Sequence, residues 1–393
     1  MNEVVIVSTA RTAIGDFTGA IKNVSALELG KIAITEAISR GGIKKEDVDE
    51  IIMGNVLPGG LGQNPARQAM LLAGLPANVG AITVNKVCGS GLKAAMLASQ
   101  VITCGDADVI VAGGMENMFL APYYLPKARE GYRLWDGKII DGMVHDGLWD
   151  APGNYHMGVT AENVADKFKV TRQDQDAFSM RSYQKAQKAW AEGKFNEEIA
   201  PVMMPQKKGP PTPFAKDEGP TRETSLDQLG KLPTAFKDGG TVTAGNSSKL
   251  SIGGAALVLM NADKAKKLGI KPLAKVIAHG SAGIENPLTV AAPIYSIPKV
   301  LKKAGMTEKE IDVHEINEAF AAAAVAIMKE LRIDEGKVNL YGGAISMGHP
   351  IGCSGARLLV TLLSVMKANN LKHGMVSLCL GGGEAVTMLV QKQ

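Results

Sequence analysis

Cysteine is scarce in this sequence: its 393 residues hold four, Cys88, Cys104, Cys353 and Cys379, none in a C-x-x-C spacing. That scarcity argues against a disulfide framework and a zinc site, and it points to a reducing, cytoplasmic setting. Charge of one sign is also in short supply. Lys and Arg number 43 against 39 Asp and Glu, spread along the chain, an excess too mild to mark a nucleic-acid binder. The first residues run straight into the strand-like Val4-Val-Ile-Val with no basic region, apolar leader or Arg-rich amphipathic stretch, and Gln391-Lys-Gln is no peroxisomal address. No apolar run is expected to reach membrane-spanning length.

Apolar residues make up 46% of the chain, enough for a large core in two or three lobes. Val4-Val-Ile-Val, Ile51-Ile-Met and Val109-Ile-Val-Ala read as buried strands. They alternate with a helix opened by the capping-box pattern Ser25-Ala-Leu-Glu28 and stopped at Gly41-Gly42, and with another from about Gly91 to Ile102. This is the rhythm of a layered α/β domain. It returns near the C-terminus, where Thr307-Glu-Lys-Glu310 repeats the capping-box pattern. Asp49 to Asn55 resembles Val313 to Asn317, Cys88-Gly-Ser-Gly-Leu resembles Cys353-Ser-Gly-Ala-Arg, and Val111-Ala-Gly-Gly resembles Cys379-Leu-Gly-Gly. The offset is roughly 265 residues throughout, as an internal duplication would leave it. Between the repeats, Phe119 to Ser248 holds all three tryptophans, two helical stretches and the proline-rich Pro201 to Pro220. Such an insertion can cover a substrate, support an oligomer, or do both.

Three segments carry candidate chemistry. Cys88 lies in Val84-Asn-Lys-Val-Cys-Gly-Ser-Gly91, before a helical pattern, so its thiol is expected at a strand-to-helix turn where the helix N-terminus lowers its pKa. Cys379 follows strand-like Val376-Ser-Leu and precedes Gly381-Gly-Gly383. His349 sits between Gly348 and Pro350, off any regular helix and poorly placed for packing. Either thiol can serve as nucleophile or base, and the imidazole can take a proton or hold an oxyanion. Asn317 can orient a water or a carbonyl, or equally cap the alanine-rich helix that follows. Cys104, at the end of its helix, reads as packing. Among the remaining histidines His156 is the one retained.

Taken together, these motifs resemble the thiolase family from end to end, and within it the short-chain biosynthetic acetyl-CoA C-acetyltransferases. The match runs from Arg11-Thr-Ala-Ile-Gly through Gly62-Gln-Asn-Pro-Ala-Arg67, the Cys88 segment, Gly113-Gly-Met-Glu-Asn117, Tyr155-His-Met-Gly158, Asn317-Glu-Ala-Phe-Ala321 and the His349 segment to Cys379-Leu-Gly-Gly-Gly383. The resemblance implies the thiolase fold, two similar five-layered α/β/α/β/α halves with an inserted loop domain. The expected divisions are 1–118 with 249–270, the loop domain 119–248, and 271–393. It implies that Cys88 attacks the acyl thioester while His349 takes its proton, and that Cys379 then deprotonates the methyl carbon of acetyl-CoA. His349 with a water on Asn317 would form one oxyanion hole, and the N–H groups of Cys88 and Gly381 the other. Coenzyme A and the acyl group are expected at Leu148, His156, Met157, Arg222, Phe236, Ser248 and Phe320. Acetyl-CoA, acetoacetyl-CoA and CoA are the implied partners, with no metal or redox cofactor, no nucleic acid, no membrane, and a homotetramer as the assembly.

Departures from the family pattern fall outside the catalytic set. Gly245-Asn-Ser-Ser-Lys-Leu-Ser-Ile-Gly-Gly-Ala255 carries Lys249 where the family often has glycine and lacks an Asn-Asp pair. Thr289 stands where a methionine is usual near the acyl pocket, Ala292 replaces a glycine, and Arg222 is followed by Glu223-Thr-Ser. These leave open a thiolase for longer chains or a condensing enzyme acting on carrier-protein thioesters. A non-catalytic acyl-CoA-binding protein is the remote alternative.

Overall fold

A computed structural model of the chain describes residues 2–393. Nine strands and eight helices position the site. The first half contributes β1 (Val4–Thr12), α1 (Ala26–Arg40), β2 (Glu50–Gly54), α2 (Pro65–Leu72), β3 (Gly80–Val84), α3 (Ser90–Cys104) and β4 (Val109–Asn117). Two helices of the intervening segment follow, α4 (Met157–Phe168) and α5 (Arg172–Ala191). The chain then returns through β5 (Ser251–Asn261) and continues as β6 (Ala274–Gly283), α6 (Pro293–Ala304), β7 (Val313–Ile316), α7 (Ala321–Leu331), α8 (Ile351–Ala368), β8 (His373–Leu380) and β9 (Glu384–Lys392).

The strand order is β7-β8-β9-β6-β1-β5-β4-β2-β3. On either side of the β1–β6 seam it reads the same way: β1, β5, β4, β2 on one side match β6, β9, β8, β7 on the other. The topology therefore repeats in the order of the sequence correspondences. The seam is slight, two antiparallel pairs, Val5 with Lys275 and Ile6 with Ala274. Helix α3 packs on β2, β4, β5 and β9, while α8 packs on β4, β5, β7 and β8, so both lie between the half-sheets. Helices α1 and α2 cover one outer face and α6 and α7 the other. The five layers are thus counted across the two halves together, which share one central helical layer.

Helix α8 is apolar on nearly every side and 18 residues long, enough by length and composition to cross a membrane, contrary to expectation. In the fold 83% of it is buried, because a helix apolar all round needs neighbours all round. Its closest neighbour is α3. A Cβ on Gly91 would stand 2.7 Å from Ala356 N, and one on Gly355 would overlap Leu92 N. Glycine at both places lets the two backbones touch, which brings the turns before α3 and α8 to one point.

Residues 118–250 add helices α4 and α5 and three short hairpins, with irregular chain over most of the proline-rich stretch. Arg11 on β1 anchors this segment: its Nε donates to Glu198 at 2.6 Å and its terminal nitrogens to both Asp217 oxygens at 2.9 and 3.1 Å. All three side chains are fully buried, so loss of one partner would strand a charge in the core. The Ser25 cap forms as expected. The Thr307–Glu310 capping box also forms, but it heads a single turn of 3-10 helix rather than a long helix, since Asp312 is already committed to the approach to β7.

Candidate active site

Cys88 stands two residues before α3, on the turn that leaves β3. Cys379 is the next-to-last residue of β8, two residues before the glycine turn that leads into β9. Asn317 follows β7 and is locked beside β8 by its own N–H, which donates to Ser377 O at 2.9 Å. With Ile316 paired to Ser377 in the parallel register, that bond holds Asn317 beside the end of β8 that carries Cys379. His349 immediately precedes Pro350, the N-cap of α8. Gly348 has φ +113, and a Cβ there would collide with Ser251 Oγ. Only glycine permits that approach, and through it His349 N donates to Lys249 O at 3.0 Å and to Ser251 Oγ at 3.2 Å.

The imidazole is held at both nitrogens. Nδ1 lies 2.6 Å from Ser354 Oγ, and Nε2 lies 3.4 Å from Asn317 Nδ2. Burial, and then the nearby Arg357 guanidinium, push the His349 pKa down to about 3, so the ring is neutral and able to accept a proton. Asn317 Oδ1 is buried without a hydrogen-bond partner among the described residues. An orphaned acceptor of this kind is where a water is normally found. Asn317 does not cap α7, whose N-cap is Phe320.

Cys88, Cys379, His349 and Gly381 line one small cavity of about 50 Å³, walled further by Met157, Thr289 and Val290. The thiol pKa lies opposite to the direction expected from the helix terminus. Burial pushes Cys88 up to about 12, although the N–H groups of Gly381 and of Cys88 itself pull the other way, and Glu116 adds to the upward shift. Burial, with the neighbouring Cys88, also raises Cys379. Desolvation by the surrounding protein outweighs the helix terminus that the sequence suggested. Both thiols therefore rest protonated beside a neutral imidazole.

Leu148, His156, Ser248, Phe320, His349 and Ile351 are shared with a second cavity of about 700 Å³, a volume suited to a sizeable ligand. Phe236 and Arg222 also line the larger cavity, while Met157 belongs to the small one. His156 stacks on Phe236 with centroids 4.8 Å apart, and Phe236 meets Phe320 edge-on at 6.0 Å. Burial lowers the His156 pKa, and its Nδ1 accepts from Gly158 N at 3.0 Å. Arg222 sits exposed at the rim, paired with Asp16 at 2.6 Å. Lys249 lines the same cavity and donates to Gly219 O and Ser346 O.

Several contributors escaped sequence reading. Ser354 orients His349 from the first turns of α8. Glu116 accepts from Asn55 Nδ2, Val56 N, Leu57 N and Gly352 N at 2.7 to 3.2 Å, tying β4 to the start of α8. The available signal was a lone carboxylate in the otherwise apolar strand Val109–Asn117. Cys104 is not a packing residue: α3 runs on to it and ends at the surface, leaving it exposed. Among the described residues, no group of three or more His, Cys, Asp or Glu side chains comes together in the manner of a metal site.

Comparison with known proteins gives a consistent picture. The family model for the N-terminal domain of thiolase matches residues 4–263, and that for the C-terminal domain matches 270–392. The chain is 51% identical to the acetyl-CoA acetyltransferase of Cupriavidus necator over 393 residues, all of both proteins. It is 47% identical over 392 residues to a probable acetyl-CoA acyltransferase of Staphylococcus aureus, again over the full length of each. A crystal structure of the Bacillus anthracis acetyl-CoA acetyltransferase superposes with a TM-score of 0.98 at 40% identity, covering 100% of this chain and 99% of that one.

Proposed function

The chain belongs to the thiolase family, and from that premise we propose how its residues divide the work of a reversible acetyl transfer. The protein is an acyltransferase of the acetyl-CoA C-acetyltransferase type, condensing two acetyl-CoA to acetoacetyl-CoA and CoA and cleaving in reverse. The observation that carries the assignment of roles is the shared small cavity: two thiols, one imidazole and the Gly381 backbone around a space sized for an acetyl group.

In the first half-reaction the Cys88 sulfur attacks the thioester carbonyl and its proton passes to His349 Nε2. Because thiol and imidazole both rest uncharged, ionisation ahead of attack is unfavourable and the proton moves as the carbon–sulfur bond forms. The N–H groups of Cys88 and Gly381 receive the developing oxyanion. The CoA thiolate leaves with the proton of Cys379. What remains is acetyl-Cys88, a His349 imidazolium and a Cys379 thiolate, with no net charge gained.

In the second half-reaction the Cys379 thiolate removes a proton from the methyl carbon of another acetyl-CoA. The enolate oxygen is held by His349 and by a water on Asn317, the role its orphaned Oδ1 suits. The carbanion attacks the acetyl-Cys88 carbonyl, acetoacetyl-CoA departs, and the Cys88 thiolate recovers the proton from His349. Every proton and electron pair is accounted for by these side chains and the substrates, so the scheme calls for no metal or redox cofactor. The larger cavity receives the body of coenzyme A, between the His156–Phe236–Phe320 aromatic wall and the Arg222 rim.

A homotetramer in the cytoplasm completes this reading. Tyr123, Leu134, Trp135 and Ile139 stand between 65% and 88% exposed in one segment of the insertion, apolar surface of the kind oligomers bury. Four free cysteines accord with a reducing compartment. The deciding experiment is thiolysis of 3-ketoacyl-CoA substrates of increasing length, with CoA and with a carrier protein as acceptor. The expected order is acetoacetyl-CoA first with CoA as acceptor. Preference for long chains or for the carrier protein would overturn it.

A further inference from the structure

Two turns from opposite halves meet at the Cys88 thiol, the Lys86–Gly89 turn before α3 and the Gly381–Gly383 turn between β8 and β9. Val87 has φ +45, a conformation that a β-branched residue keeps only where its surroundings over-determine it. Those surroundings are built from neighbours in the chain. Val87 N donates to Asn85 Oδ1 at 3.0 Å, Ser90 Oγ donates to Val87 O at 2.6 Å, and Lys86 N donates to Ser90 Oγ at 2.8 Å. The result is that the Val87 side chain lies against Gly381, where a Cβ would stand 3.3 Å from Val87 Cγ1. Gly381 in turn directs its N–H at the Cys88 sulfur.

The glycine turn has little of its own to hold it there. Gly382 and Gly383 have φ of +85 and +78 and carry no side chains; Ile284 N donates to Gly383 O at 2.7 Å. Across the gap, the Lys86 ammonium forms an ion pair with the Glu384 carboxylate. Lys86 immediately precedes Val87, and Glu384 immediately follows the glycines, opposite Leu380 in the β8–β9 register. Neither side chain lines the cavities, so neither touches substrate.

We propose that Lys86 and Glu384 are positioning residues for acetylation: their ion pair holds the nucleophile turn of one half against the glycine turn of the other, and so keeps the Gly381 N–H at the height of the Cys88 sulfur. This rests on the reading of Cys88 as the acyl acceptor. The pair is partly exposed, with side chains 23% and 43% accessible, and such pairs contribute little to folding stability. Its effect lies in geometry, and belongs in a rate rather than a melting temperature.

The test uses Lys86→Gln, Glu384→Gln and the exchange Lys86→Glu with Glu384→Lys in the full chain. Acetyl-enzyme formation is followed by rapid quench and mass spectrometry, and iodoacetamide labelling of the Cys88 peptide is followed against pH. Glu116, Cys379 and His349 also face the thiol, and Lys93 lies beside the ion pair; all four are common to every variant. Each single variant is expected to acetylate roughly ten- to a hundredfold more slowly, the scale of a small misplacement of a reacting group. KM for acetyl-CoA and the melting temperature should hold, Cys88 labelling should move to higher pH, and the exchange should recover most of the rate. Should one single variant fail to fold, the other decides. Wild-type acetylation in the single variants, or an exchange no faster than they are, would overturn the clamp. An unaltered enzyme that never forms acetyl-Cys88 would instead overturn the nucleophile assignment beneath it.

Discussion

Ser354 Oγ lies 2.6 Å from His349 Nδ1, and among the described residues it is the only group hydrogen-bonded at that nitrogen. The same hydroxyl reaches Pro350 O at 2.9 Å, so one serine ties the imidazole to the first turn of α8. Ser354→Ala should free the ring to rotate and slow acetyl-enzyme formation by roughly ten- to a hundredfold while KM stays near its original value. A stopped-time acetylation assay would show it. An unchanged rate would mean that the Asn317 side alone orients the ring.

The two thiols should fail differently. Cys88→Ala is expected to form no acetyl-enzyme, whereas Cys379→Ala should still acetylate slowly and fail at condensation and thiolysis, each by at least about a thousandfold. Intact-mass measurement after incubation with acetyl-CoA separates the two. Persistent turnover in either variant would defeat the division of labour.

Thr289 is buried in the wall of the small cavity, its Oγ1 donating to Asn286 O at 2.7 Å. Thr289→Ala removes that wall atom and its tether, and should raise kcat/KM for 3-ketohexanoyl-CoA relative to acetoacetyl-CoA by roughly tenfold, the worth of a methylene in an apolar pocket. Thr289→Met should narrow the range further. A chain-length profile indifferent to both changes would assign the limit to Met157 and Val290 instead.

Burial lowers the Lys249 pKa from 10.5 to about 8, and no carboxylate pairs with it among the described residues. Between those values the unfolded chain binds more protons at this site than the folded one, so this lysine makes stability rise with pH across that window. Urea denaturation at pH 7, 8.5 and 10 should show wild type gaining on Lys249→Met by up to roughly 1 kcal/mol per pH unit above pH 8. A difference that is flat, or that shrinks with pH, would mean the ammonium is well solvated in the cavity.

Much of the site was legible because its chemistry sits in short glycine-rich segments. Cys88, His349 and Cys379 could each be picked out from their neighbours, and the repeated rhythm explained how segments so far apart meet. Ser354 was not legible, since a serine inside an apolar helix declares nothing until its partner is in place, and Glu116 showed only as a lone carboxylate in a buried strand, with no sign of the four donors it would gather. Cys104 misled because the end of its helix, placed where the pattern suggested, lies at the surface rather than in the core.

The one-dimensional pattern identified two thiols and an imidazole and the turns that carry them, because turn geometry and helix starts are local properties of a few residues. It did not settle their state. A helix N-terminus next to Cys88 reads as a device for lowering a thiol pKa, yet the folded pocket holds that thiol near 12 and His349 near 3. Desolvation depends on everything packed around a group, here residues from both halves and the insertion, and no local window contains it. Folding thus turned two nominally ionisable thiols and an imidazole into an uncharged set.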